Sequence, residues 1–163
     1  MILAIDPSLV STGVCVMADD GQIELYKTIK TKKDGDNYYE RVNHICNEIF
    51  HTPVDLLEGT DFVIENQYLG VSPKVYGDLC GLRAAIVNTM RFDMYSFQEY
   101  QPAEWRKIVD LKKQKGEDWK QLAVDFVNEK YNLELKYSEN DIADAILIAL
   151  ARKIELDKLK EKE

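Results

Sequence analysis

The first sixteen residues, MILAIDPSLVSTGVCV, constrain this chain more than any other stretch. Met1 to Ile5 is an uninterrupted apolar run that reads as a buried strand, and Asp6 closes it. Pro7 and Ser8 make a turn, and Thr12-Gly13-Val14-Cys15-Val16 begins a second strand. A carboxylate at the end of a fully apolar strand loses hydration unless a cation meets it. Structural acids are usually found in caps or on solvated faces, so Asp6 reads as a functional residue.

A second apolar strand ends the same way. Asp61-Phe-Val-Ile-Glu65 places a carboxylate at its close, and in α/β sheets the carboxyl ends of parallel strands converge where ligands bind. A third acidic locus lies in Ser138-Glu-Asn-Asp141-Ile-Ala-Asp144, which opens a helix apolar nearly all round as far as Ala151. Ser138 and Asp141 have the spacing of a capping box with Asp in place of Glu. Asp144 lacks that structural reason, and a spacing of three puts both carboxylates on one helix face.

Between these loci the patterning is legible. Gly21 to Ile29 reads as a third, antiparallel strand entered through Asp19-Asp20-Gly21. A helix capped by Asp36 or Asn37 runs to about Phe50, its apolar stripe being Tyr39, Val42, Cys46, Ile49 and Phe50. Thr52-Pro53 interrupts it, and Leu56-Leu57 leads through Gly59 to the second acidic strand. Ser72 and Pro73 start a helix to about Met90, with Val75, Leu79, Leu82 and Ile86 on one face and a small-residue stripe of Gly77, Gly81 and Ala85. Asp93 to Phe97 reads as a further strand, and Gln101 to Lys107 opens a short helix. A helix begun by Glu117 or Asp118 turns Leu122, Ala123, Phe126 and Val127 inward. From Arg152 to Glu163 the last helix becomes a charged, solvated tail.

The chain of 163 residues fits one domain, with no internal repeat or linker to mark a second. No run of eighteen apolar residues and no leader-type start is present, so a cytoplasmic protein without membrane contact is expected. Cys15, Cys46 and Cys80 are widely spaced in apolar segments and read as reduced core thiols. With only two histidines, His44 and His51, a histidine metal site or a Ser-His triad is poorly supplied. A net charge of −8 argues against indiscriminate nucleic-acid binding. The positive charge is segregated, however: Arg106, Lys107, Lys112, Lys113, Lys115 and Lys120 cluster, with Trp105 and Trp119 interleaved. Lys32, Lys33 and Lys74 can extend this basic surface.

Four carboxylates in one site repel one another and require protons or cations to share it. All-oxygen ligation suits Mg²⁺ or Mn²⁺. Two such ions about 4 Å apart can drive in-line displacement at a phosphodiester without a nucleophilic side chain.

The element order, with IDPSLVSTG, VIEN and NDIADA, resembles the ribonuclease H-like fold and, within it, the RuvC-type Holliday-junction resolvases, including compact phage members. The resemblance spans nearly the whole chain. It implies an α/β domain with a mixed five-stranded sheet flanked by helices, acting as a homodimer on four-way DNA junctions, in a host cytoplasm if phage-encoded. By motif match, Asp6, Glu65, Asp141 and Asp144 are the metal-binding catalytic acids. Tyr68 stands where the family often carries an aromatic that wedges into the junction, and the lysines from 112 to 120 fall where one or two approach the scissile phosphate. The family commonly has Asp-Pro-Gly after the first strand; Ser8 here requires that the backbone not take a positive φ.

Three other readings compete. A ribonuclease H acting on RNA–DNA hybrids is the nearest, and paired acids on the last helix and the aromatic after the Glu loop favour the junction enzyme over it. A non-cleaving junction-binding module has no use for four acids. A phosphotransferase of the actin and sugar-kinase type needs a second domain that this length does not hold.

Overall fold

A computed structural model describes residues 1–32, 37–52, 60–66, 70, 72–90 and 96–162. Five strands form one sheet: β1 (Ile2–Asp6), β2 (Ser11–Met17), β3 (Ile23–Lys30), β4 (Asp61–Glu65) and β5 (Ser96–Tyr100), in the order β3-β2-β1-β4-β5. The first three are antiparallel neighbours, whereas β4 runs parallel to β1 and β5 parallel to β4. The sheet is therefore mixed, as expected.

Helices cover both faces, and strand alternation assigns the residues to them. Leu3, Ile5, Phe62 and Ile64 point to the face covered by α1 (Tyr38–Phe50) and α2 (Pro73–Met90), joining Ile45, Ile49, Leu82 and Ile86 in one core. Ile2, Ala4, Cys15 and Val63 point to the other face. There they meet α3 (Pro102–Ile108), α4 (Trp119–Tyr131) and, centrally, α5 (Asn140–Lys160). Burial pushes the Cys15 and Cys46 thiols up, as befits inert core groups, and all three cysteines are free.

Several helix starts follow the local chemistry. Asn37 caps α1, its side chain accepting from the Glu40 amide while Glu40 reaches back, a full capping box. Pro73 opens α2 after Ser72, and Asp118 caps α4. Ser8 has no positive φ: among described non-glycine residues only Asp110 and Asn132 do. The Ser8 turn is held instead by Thr12, whose buried hydroxyl donates to the Ser8 carbonyl at 2.6 Å and accepts from its amide at 3.2 Å.

Other expectations are corrected. The fifth strand continues past the expected end at Phe97 to Tyr100, because Phe97 to Tyr100 stays in register with Phe62 to Glu65; the expected residues 93–95 lie outside the described residues. Tyr39 is 75% exposed and Phe50 is half-exposed, and Ile45 takes the place assigned to them in the core stripe of α1. Val75 is likewise exposed on α2, whereas on α4 Leu122 and Phe126 pack partly buried on the core as expected and Val124 joins Ala123 and Val127 as buried. Gly81 and Ala85 serve the chain's own packing: a Cβ at Gly81 would lie 2.2 Å from the Tyr38 hydroxyl, and Ala85 packs on the α1–α2 core. The end of α5 is not a solvated tail throughout, since Arg152 pairs with Asp61 at 3.1 Å and Ile154 and Leu156 pack on the core. No described helix is long and apolar enough to cross a membrane.

Candidate active site

The sheet register builds the site. Asp6 and Glu65 close adjacent parallel strands, and Asp61, Val63 and Glu65 alternate onto the same face as Ile2, Ala4 and Asp6. That face is the one α5 covers. Asp6 is paired in register with Gly13 of β2, and here the first turn of α5 descends onto the sheet. A Cβ on Gly13 would lie 1.9 Å from the Asp141 carbonyl oxygen, so only a glycine permits the approach. The helix thereby brings Asp141 and Asp144 over the strand ends.

Asp141 is buried at 6% exposure, and two hydroxyls hold it. Thr28 Oγ1 of β3 donates to Asp141 Oδ2 at 2.6 Å, and Ser11 Oγ of β2 donates to the same oxygen at 3.1 Å. The expected capping role is thus corrected: a 3₁₀ turn, Tyr137–Glu139, precedes α5, and the Asp141 carboxylate faces the sheet instead of capping with Ser138. Glu65 is held from the other side. Buried Trp105 of α3 donates its indole Nε1–H to Glu65 Oε2 at 2.7 Å.

The electrostatics bring the other three acids to bear on Asp6. Burial first, then the charges of Glu65, Asp144 and Asp141, push the Asp6 carboxyl well above its usual range, with Lys120 opposing. Burial and then Glu65 raise Asp144 to about 7, with Arg106 and Lys120 opposing. Burial raises Glu65 too, against the Trp105 hydrogen bond and the Arg106 charge. Among the described residues no three ligand groups already sit together closely enough to hold an ion. The acids share an electrostatic site that a cation would draw in, and its oxygen-only donors and excess of negative charge fit a hard divalent ion.

The basic residues divide. Lys120, at the start of α4, and Arg106, on α3, act electrically on the acids. Arg106 lies over the rings of both Trp105 and Trp119 at 4.8 Å, and Lys113 lies 5.6 Å from the Trp119 ring centre. Lys112 pairs with Asp110 at 2.9 Å, which offsets its charge. Lys107 and Lys115 are exposed, as are Lys32 and Lys74. Tyr68 and Lys33 lie outside the described residues. The structure also adds residues that patterning did not single out for the site: Ser11, Gly13, Thr28 and, as a partner of Glu65, Trp105. Thr12-Gly13 following a strand-ending acid was the available signal for the close approach.

Residues 2–152 match the family model described as crossover junction endodeoxyribonuclease RuvC. The chain belongs to the RuvC family. It is accordingly a junction-cleaving endodeoxyribonuclease that depends on divalent metal. Among solved structures, Thermus thermophilus RuvC in complex with a Holliday junction substrate is 16% identical with a TM-score of 0.77, covering 96% of this chain and 94% of that one. A further T. thermophilus RuvC structure is 17% identical with a TM-score of 0.76, covering 96% and 95%. The yeast mitochondrial Holliday junction resolvase Ydc2 is 13% identical with a TM-score of 0.64, covering 98% of this chain and 80% of that one. At these identities the structural likeness speaks for the fold, and family membership rests on the sequence model. No curated protein matches the chain. In this RuvC-family chain Asp6-Pro7 is followed by Ser8, and the Thr12 hydroxyl holds that turn in an ordinary conformation.

Proposed function

We propose that the chain, as a single nuclease domain paired in a homodimer, cuts four-way DNA junctions with Mg²⁺ held by Asp6, Glu65, Asp141 and Asp144, Mn²⁺ substituting. The observation that carries this reading is the gathering of one partly buried strand-end acid with three others. Asp6 is under the charges of Glu65, Asp144 and Asp141, on a sheet face closed by α5. Divalent ions held by these four acids would supply an activated water and charge neutralisation at a phosphodiester. The protein's own groups orient the ligands and the DNA. Thr28 and Ser11 fix Asp141, and Gly13 sets the depth of the helix that carries it.

Lys120 is the lysine assigned to the scissile phosphate, because its charge bears on both Asp6 and Asp144. Lys107, Lys112, Lys113 and Lys115 continue the basic surface along the DNA arms, with Arg106 bridging surface and site. Tyr68, by its position after the Glu65 strand, stacks at the crossover. T. thermophilus RuvC is described with a Holliday junction substrate, which supports the same class of DNA here. The two-fold symmetry of a four-way junction calls for a two-fold enzyme. Helix α2 is the contact proposed, through Gly77, which has open space around it. Three free cysteines suit a reducing cytoplasm.

The test is metal-dependent cleavage of a four-way junction, a flap, a plain duplex and an RNA–DNA hybrid side by side. Symmetric nicking of the junction, with Asp6→Asn inactive, is expected. Preferential cutting of the hybrid strand would overturn the junction assignment in favour of ribonuclease H activity.

A further inference from the structure

Glu65 differs from Asp141 in how it is held: its partner is an aromatic N–H, not a hydroxyl. Trp105 is fully buried on α3, and its only polar hydrogen is donated to Glu65 Oε2 at 2.7 Å. The neighbouring Arg106 is placed against the outer side of the same indole, 4.8 Å from the ring centre, and an equal distance from Trp119 at the start of α4. Its guanidinium is therefore flanked by two tryptophans. Arg106 Nε is buried with no hydrogen-bond acceptor among the described residues, so ring faces and the Glu65 charge account for its placement. Lys113 in turn lies over the Trp119 ring. A continuous stack runs from Glu65 through Trp105, Arg106 and Trp119 to the basic loop.

We infer that Trp105 is a positioning residue for Glu65, that the Arg106–Trp119 stack holds Trp105 in place, and that this unit tunes metal affinity at the acid site. The inference rests on the proposed function, since it assumes that Glu65 is a metal ligand. The physical reason is orientation. An indole N–H on one carboxylate oxygen restricts rotation of the group before any ion is bound. A ligand left free to rotate has to be ordered when the ion arrives. Groups of this kind, which touch a ligand and not the ion, typically change metal affinity about 10- to 100-fold when removed.

Trp105→Phe keeps the buried ring and deletes the donor. Mn²⁺ binding to the DNA-free protein, followed by the electron paramagnetic signal of free Mn²⁺, should weaken by roughly tenfold. The Mg²⁺ concentration for half-maximal junction cleavage should rise in parallel, with the rate at saturating Mg²⁺ largely recovered. Trp119→Leu, which leaves the Glu65 contact untouched, should weaken Mn²⁺ binding by about two- to fivefold, the scale of one cation–π contact. Because a fully buried tryptophan can be needed for folding, the unmodified protein supplies an independent measurement. It has two tryptophans, hence two indole N–H cross-peaks in a ¹H–¹⁵N spectrum. Mg²⁺ titration should move the Trp105 peak with a saturating curve, and this shift should vanish in Asp6→Asn. If Asp6→Asn binds Mn²⁺ like the parent, the metal site is misplaced and the proposed function falls. If Asp6→Asn abolishes binding while the Trp105 peak stays still and Trp119→Leu binds Mn²⁺ as the parent does, only the positioning role falls.

Discussion

At the scale of single residues, the acid site is defined by charge that the fold has concentrated at a cost. Asp6→Asn removes one carboxylate from beneath Glu65, Asp141 and Asp144 without changing shape. Cleavage should disappear, while junction binding in a gel shift should persist or tighten, because negative charge facing the phosphates is reduced. Loss of binding together with cleavage would show that metal-bridged contacts hold the DNA. The same acids make the metal-free protein sensitive to pH. The Asp144 carboxyl is raised from 3.8 to about 7, so its folded form favours the proton more than the unfolded chain does. The stability this contributes is complete below the unfolded value and is lost as pH rises through about 7. Asp6, shifted in the same direction, adds to the effect. Calorimetry of the chelated protein should show Tm falling between pH 5 and 8, with Mg²⁺ restoring it at pH 8 and Asp6→Asn flattening the profile. A Tm that rises over that interval in chelator would contradict the assignment.

At the scale of elements, one glycine decides whether α5 seats. Gly13→Ala puts a methyl 1.9 Å from a backbone oxygen of Asp141, and backbone cannot rotate away as a side chain can. The helix must lift, and α5 carries Asp141 and Asp144 and much of one core. A loss of about 2–4 kcal/mol is expected from urea unfolding, in the range of severe core overpacking, with cleavage lost beyond what the stability change explains. Gly77→Ala is the matched control. It lies in a helix with open space around it within one chain, so urea unfolding of the dissociated chain should show a gain of about 0.5–1 kcal/mol. A Gly13→Ala protein as stable and active as the parent would refute the close seating of α5.

At the scale of the whole molecule, a net charge of −8 has to coexist with DNA binding. Lys113, Lys115 and Lys120 are exposed along one stretch, whereas Lys112 is offset by Asp110. Lys113→Ala should weaken junction and duplex alike and reduce the log–log salt slope by roughly 0.9. Lys112→Ala should do less. Tyr68→Ala should instead weaken the junction selectively with little change of slope, since stacking on a base is worth about 1–3 kcal/mol and carries little salt dependence. Sedimentation at micromolar concentration, with and without junction DNA, should give a dimer. A monomer under both conditions removes the two-fold model.

Much of this protein was open to reading from the chain alone, and the boundary is a physical one. The strand-end acids Asp6 and Glu65, the caps at Asn37 and Asp118, and the order of elements are encoded locally, in alternation, turn chemistry and spacing, so they stand in the structure where they were expected. The errors arose where a local pattern had several equivalent solutions. An amphipathic stripe can rotate by one residue, which exchanged Tyr39 and Phe50 for Ile45, and a strand can run on as far as its neighbour keeps register, as with Ser96–Tyr100 beside β4. Likewise Ser138 and Asp141 had capping-box spacing, but Asp141 is taken by Thr28 and Ser11, residues 113 and 130 positions away. Side-chain partnerships across such separations leave no periodicity to read. The hydroxyls on Asp141, the indole on Glu65, the depth of α5 over Gly13 and the reach of Lys120 to the acids were decided by tertiary packing alone, because only packing brings those residues within hydrogen-bonding or electrostatic range.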